Sequence, residues 1–445
     1  MWAYGSDDVL EFVDSPGGGF RIHFTRQGKH GVPSFDENED GIPDFVEEVA
    51  ASYDEVQEFF EALGYRMPRS DGDLEGDNGG DERFDVYLLD FGMSSDGSFV
   101  ADRCEPSGCI GHVVQENDFA GYRYPSTRIA NRILASHEFF HAVQAAYGYD
   151  MGSVLWEGTA VWASEAFDPS LDDFERSIGG YLNEPERSLD LPPPGPVPRF
   201  AYGSAIFFRF LEERFDADVI RLLFEEAAKG PWIQALDTVL ADAYSASFAS
   251  AFEAFAWWNL YTADAADPSI AYREGASYPP VRREAQALPA RIERPRIYYA
   301  STRYYEIRPG DRSRIVVELF AEEPGDLEAL RIFAVARKGE ATLGGVQGVD
   351  LAEARLDLAV GDADSVVIGI VNRAMGGESR RPIVCIGSEE EVAACKAASQ
   401  PPRNASGRGA KAEGTGGCGV ARAEAVGWTP WGRALGALLP PRRRP

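Results

Sequence analysis

The run HEFFH at 137–141 places two histidines four residues apart, with a glutamate directly after the first. On a helix, positions i and i+4 share a face, so two imidazoles can grip one ion while Glu138 stands beside the water bound to it. Ile129 and Ile133 extend the same stripe toward the N-terminus, as expected of a helix laid on a core. The helical period holds from Thr127 to Tyr147, and Gly148 supplies a C-terminal cap. With five histidines in 445 residues, about 0.01 accidental matches to this pattern are expected per chain. The competing reading is a pair of hydrogen-bonded histidines on a buried helix, with no ion.

A hydrolytic metal site needs three protein ligands and one position left for water or substrate. No histidine follows His141, so a ligand from downstream has to be a carboxylate. The next helical stretch, about Val154 to Phe167, contains WEGTAVWASE (156–165) and offers Glu157 and Glu165. Glu157 sits at the helix start, followed by Gly158, small enough for close approach to the metal helix. Glu165, two turns on, suits an acid that orients a ligand imidazole, or an alternative ligand. Histidine and carboxylate donors in this arrangement select Zn2+.

A second metal signal lies upstream. Asp36, Asn38, Asp40, Gly41, Asp44 and Glu47 occupy positions 1, 3, 5, 6, 9 and 12 of a calcium loop, with the Ile42 carbonyl at position 7. Pro43 inside the loop and the lack of an incoming helix point to an isolated Ca2+-stabilised turn rather than an EF-hand pair. The plainer alternative is an acidic turn whose charges favour the start of the next helix.

Composition bounds the rest. Lys and Arg number 43 against 72 Asp and Glu, a formal charge of −29. A field of that sign repels phosphate backbones and anionic lipid, which disfavours nucleic-acid and membrane-surface binding. No apolar run approaches the roughly 18 residues of a transmembrane helix. Cys104 and Cys109, and then Cys385 and Cys395, form short local pairs that suggest disulfides and an oxidising compartment. The start, MWAYGSDDVLEFVDS, has neither a basic n-region nor an apolar h-region, so the protein is expected either to be cytoplasmic or to have its leader upstream of this start.

Along the chain, FRIHFT (20–25), FDVYLLDF (84–91) and GHVVQEN (111–117) read as strands, and Pro43 to Leu63 as an amphipathic helix. The Pro-rich run PPPGPVP (192–198) opens a helical region from Tyr202 to about Leu260. RIYYASTRYYEI (296–307), RIVVELF (314–320), LRIFAVA (330–336) and SVVIGIV (365–371) are strand-like. Residues 401–417 have linker composition. Cys418, the mildly apolar stretch Ala425 to Leu439 and the cluster Arg442 to Arg444 look like a surface-protein sorting tail, interrupted by Pro430, Arg433 and Pro440; the plainer alternative is a disordered basic tail.

HEFFHAVQ followed by WEGTAVWASE resembles the HExxH…EG arrangement of gluzincin zinc metallopeptidases. FRIHFTRQGKHGVP, DENEDGIPDFVEEVA, FDVYLLDF, HEFFHAVQAAYGYD and YGSAIFFRFLEERF extend the resemblance over about residues 20–280, to an uncharacterised family of secreted bacterial metalloproteases. It implies a zincin domain whose upper edge strand, taken as GHVVQEN, pairs with an extended peptide above the zinc. It also implies that Tyr202 of YGSAIFFRFLEE serves as oxyanion donor, where the plainer reading is a tyrosine packing its helix. The spacing from His141 to Glu157 is shorter than in better-known gluzincins.

The sequence therefore predicts an α+β zincin-like catalytic domain over 1–190 with the calcium-type loop, and a helical subdomain over 191–285 completing the cleft. A β-sandwich-like domain follows at 290–397, then a linker and sorting tail at 398–445. The expected activity is zinc-dependent hydrolysis of peptide bonds in a peptide or protein substrate, at the cell surface or outside it. The alternative is a non-catalytic surface-binding protein with a structural or vestigial zinc site.

Overall fold

The computed structural model describes residues 4–72, 78–190, 197–321, 324–346 and 355–399. The linker 401–417, Cys418 and the tail beyond it lie outside the described residues, as does most of PPPGPVP.

The first segment folds as a mixed sheet backed by helices. Its elements run β1 (Glu11–Asp14), β2 (Phe20–Phe24), α1 (Asp44–Ala62), β3 (Phe84–Leu89), β4 (Gly97–Glu105), β5 (Gly108–Glu116), α2 (Thr127–Ala145) and α3 (Ser153–Phe167). The strand order is β1-β2-β3-β5-β4. β2, β3 and β5 are parallel neighbours, while β1 and β4 run antiparallel at the two edges. Phe20, Ile22, Val86, Leu88 and Val113 turn one face of this sheet onto α1 and α2. The other face buries Arg21, which pairs with Asp14 and Asp81, and His23, which hydrogen-bonds Asp85, at 2.7–2.8 Å. β2 is therefore buried on both faces although its sequence alternates.

The expectation that GHVVQEN forms the edge strand is overturned. β5 lies inside the sheet, between β3 and β4, and the edge belongs to β4. Cys104 and Cys109 pair across the β4–β5 hairpin and are joined by a disulfide. β4 exposes alternate side chains, the half-solvated pattern of an edge strand.

Helices dominate the next segment: α4 (Asp173–Ser177), α5 (Gly179–Leu182), α6 (Val197–Gly203), α7 (Ala205–Arg214), α8 (Asp218–Ala227), α9 (Trp232–Tyr244) and α10 (Phe248–Trp258). Gly180 and Gly203 set the α5–α6 contact. A Cβ on Gly180 would stand 1.8 Å from the Arg199 carbonyl, and one on Gly203 would stand 2.3 Å from the Tyr181 nitrogen. Only bare backbone lets these helices approach so closely.

The last segment builds two sheets, of order β11-β10-β13-β8-β6 and β12-β9-β14-β7. Their strands are β6 (Glu284–Gln286), β7 (Ala290–Ile292), β8 (Ser301–Ile307), β9 (Arg314–Phe320), β10 (Leu330–Lys338), β11 (Ala341–Val346), β12 (Arg355–Ala359), β13 (Ser365–Asn372) and β14 (Ile383–Gly387). Ile315, Val317, Ile332, Ile368 and Val384 fill the space between them, and a second disulfide, Cys385–Cys395, ties β14 to α11 (Glu389–Ser399). The single strand expected over 296–307 begins only at Ser301, because Ala300 adopts φ 46° and breaks the extended run. On the outer face of the larger sheet, Phe333, Val335, Val367 and Val371 join the same core as Phe255 and Trp257 of α10. The helical segment and the outer face of the larger sheet thus share one apolar core. Among the described residues, no helix is long and apolar enough to cross a membrane.

Candidate metal centre

Helix α2 begins at Ser126, whose side chain accepts from the Ile129 N–H, and runs through the core with most of its residues buried. It presents His137 and His141 on one face, while α3 crosses beside it and brings Glu157. One ligand atom from each of the three lies within 4.8 Å of the others. The His137 and His141 Nε2 atoms stand 3.6 and 3.5 Å from the same oxygen, Glu157 Oε2. That oxygen is buried and has no hydrogen-bond partner among the described residues, a cost of about 1–3 kcal/mol for a polar atom unless a cation or proton compensates it.

Burial favours a neutral His137 imidazole, but the carboxylates of Glu157, Glu138 and Asp173 outweigh it and lift its pKa to about 9. Glu157 is raised by burial and lowered more by the two imidazoles, ending below the usual carboxylate range. The three groups form an electrostatic unit in which protons and a cation compete for the same lone pairs.

Gln144, fully buried one turn beyond His141, fixes the second histidine. Its amide nitrogen donates to the Trp156 carbonyl at 2.8 Å and to Thr159 Oγ1 at 2.7 Å. Its oxygen is thereby turned to His141 Nδ1, 2.8 Å away, and accepts that N–H. The Nε2 lone pair is left facing Glu157, the orientation a metal ligand requires. Trp156 stacks on the His141 ring, with centroids 4.9 Å apart and planes within 7°.

Glu138 turns toward the sheet rim. Its Oε2 accepts the Phe99 N–H of β4 at 3.0 Å, and burial holds its carboxyl above the ordinary range. Gly97 makes room for it: a Cβ there would stand 2.9 Å from Glu138 Cγ. Tyr202 of α6 packs its ring 5.9 Å from that of His137 and interacts with the Glu157 carboxylate, which with burial raises its phenol pKa. Asp173, on α4, is near enough to act on His137. Gln144, Asp173 and the Gly97–Phe99 rim were missed in the sequence. The only signal for Gln144 was its place three residues after His141.

The structure separates Glu165 from this centre. It lies eight residues beyond Glu157, about 12 Å along the helix, and joins Glu175 and Glu274 in a second carboxylate group. Gly158 also has a different use from the one expected: it opens a gap for Ser204, at the α6–α7 junction, and Phe208 of α7, not for α2.

The loop of Asp36, Asn38, Asp40, Ile42, Asp44 and Glu47 is shaped by its own acids. Asp36 Oδ2 accepts the Gly41 N–H, Asp40 Oδ1 accepts the Ile42 N–H and Asp44 Oδ1 accepts the Glu37 N–H, each at 2.9 Å. Among the described residues its carboxylates do not gather as closely as the two groups above. Burial and the neighbouring Asp40 and Asp44 raise the Glu47 pKa, and Asp36 Oδ1 is buried without a partner among the described residues.

No family model matches the chain, and no curated protein matches it. Among solved structures the chain is similar to Aeromonas hydrophila PliG, a periplasmic lysozyme inhibitor of g-type lysozyme, at 11% identity. The match covers 24% of this chain and 98% of that one, with a TM-score of 0.17, too low to carry an argument about fold or activity.

Proposed function

We propose that the chain is an exported zinc metallopeptidase of gluzincin type, with a zincin-like arrangement of sheet, α2 and α3. The observation that carries this reading is the convergence of His137, His141 and Glu157 around a buried carboxylate oxygen that has no hydrogen-bond partner among the described residues. Two imidazoles and one carboxylate form a donor set suited to zinc. When bound, zinc supplies Lewis acidity that acidifies water and polarises a carbonyl.

The remaining chemistry belongs to the chain. Glu138, buried and raised in pKa, accepts a proton from water and returns it to the leaving amine. The Phe99 N–H holds one of its oxygens, leaving the other for the proton. The Tyr202 hydroxyl, protonated at neutral pH, donates to developing negative charge on the carbonyl oxygen. β4 offers its outer edge to an extended peptide, the part first expected of GHVVQEN. The two disulfides support an oxidising location. Calcium at 36–47 is supported by the register of its oxygens and by the unpartnered Asp36 Oδ1.

The test is elemental analysis of the purified protein and its Glu138→Gln variant, each incubated with casein. About one zinc per chain in both, with cleavage only by the parent, is the expected result. Zinc in both without cleavage by either favours a binding protein with a structural site, and no zinc in the parent refutes the assignment.

A further inference from the structure

Tyr202, which packs against His137, also lines a cleft of about 440 Å³ together with Arg176, Gly179, Asn183, Glu184 and Arg199. Arg176 lies in the last turn of α4, and Arg199 stands one turn before Tyr202 on α6, so one short helix carries both the tyrosine facing His137 and an arginine of the cleft. The Gly180–Gly203 contact brings Arg199 beside α4 and α5.

The chain is strongly acidic, and many of the described arginines sit against carboxylates; neither Arg176 nor Arg199 forms an ion pair or side-chain hydrogen bond with any described residue. Glu184, the acid in the lining, is engaged by Arg187, whose guanidinium also lies 5.8 Å over the Phe200 ring. Asp173 acts on Arg176 from the His137 side. The cleft therefore keeps a local positive excess inside a molecule of charge −29. Charges on the far surface are screened within about 8 Å at physiological salt, so the arginines, not the net charge, set the potential that a bound side chain meets. Guanidinium groups pair with carboxylates through two parallel hydrogen bonds, a geometry that Lys cannot reproduce.

We infer that this cleft is a specificity pocket for an acidic side chain, Asp or Glu, flanking the scissile bond of a peptide substrate, with Arg176 and Arg199 as the recognition residues. The inference rests on the peptidase reading and adds to it the class of peptide.

The test uses the Glu138→Gln variant of the full chain, so that peptides bind without being cut, and labelled Ala/Gly nonapeptides with a central Glu, Gln or Lys. Fluorescence anisotropy should show the Glu peptide binding about tenfold more tightly than the Gln peptide, the worth of one charge-assisted pair. Adding Arg176→Gln and Arg199→Gln should abolish the difference. Arg199→Glu alone, on the exposed α6 turn, should shift the preference to the Lys peptide, which guards against misfolding of the double variant. Equal binding of Glu and Gln peptides, or a preference that survives the double variant, overturns the inference. Incubation of the same peptides with the parent separates the two readings. A Glu preference without cleavage leaves the pocket standing and removes the peptidase, and cleavage without a preference does the reverse.

Discussion

Replacing Gln144 by leucine should weaken the metal centre without touching a ligand. Leucine nearly fills the volume of glutamine, so the substitution leaves no large cavity, but it removes three hydrogen bonds, one within α2 and two across the α2–α3 junction. These are the contacts to His141 Nδ1, the Trp156 carbonyl and Thr159 Oγ1, at 2.8, 2.8 and 2.7 Å. At a net worth of about 1 kcal/mol each, the fold should lose about 3 kcal/mol. Thr159 keeps its bond to the Leu155 carbonyl, so its hydroxyl is not orphaned. The second loss falls on the metal. With Nδ1–H no longer held, the His141 ring can turn or change tautomer, and zinc affinity should fall about 10- to 100-fold. The two losses are measured separately: urea unfolding in EDTA gives the first, and zinc competition against a chromogenic chelator gives the second. If Gln144→Leu binds zinc within about twofold of the parent while Glu157→Gln has lost it, the orienting role of Gln144 is refuted. The Trp156 stack would then be what holds His141.

Gly97→Ala should push the Glu138 carboxylate off its seat, since the new methyl would meet Glu138 Cγ at 2.9 Å and Oε1 at 3.1 Å. Turnover should fall on the order of 10²-fold with zinc content unchanged, and unaltered casein cleavage would show that Glu138 has slack. Burial, then the neighbouring Glu175, raises the Glu165 pKa to about 8. The folded state therefore holds a proton that the unfolded chain releases near pH 4.5, so stability should fall as pH rises from about 4.5 to about 8. Glu165→Gln should flatten that slope in a melting series, and an unchanged slope would assign it to other groups. Replacing Cys104 and Cys109 with serine removes a six-residue closed loop and should cost about 2 kcal/mol, with faster amide exchange along β4. Equal stability of parent and variant under oxidising conditions would discount the bridge.

What could be read from the chain follows its periodicity. α2 and α3 were legible because their apolar stripes are long, and HEFFH was legible because histidine is scarce in this sequence. β4 was not, because Ser98, Asp102 and Arg103 break its apolar alternation, and an edge strand needs only one buried face. β6 and β7 are three residues each, shorter than any pattern can distinguish. Glu165 shows the limit most clearly. Sequence spacing put it on the right helix, but helix length carried it away from the ligands and into contact with Glu175 and Glu274, which are remote in sequence. The role of Gly158 was misread in the same way, since a missing Cβ says that something comes close without saying what.

The larger sheet of the last segment has apolar neighbours on both sides, the second sheet on one and α10 on the other. Along β13, Val366, Ile368 and Ile370 serve the first core while Val367 and Val371 serve the second. Polar substitutions should therefore be rejected at successive positions of this strand, where a sheet with one wet face would tolerate every other one. The same geometry constrains inheritance: a shortened gene ending before β8 would strip the cover from α10 as well as losing the sandwich. The two halves of the chain are therefore expected to be gained, lost and exchanged together.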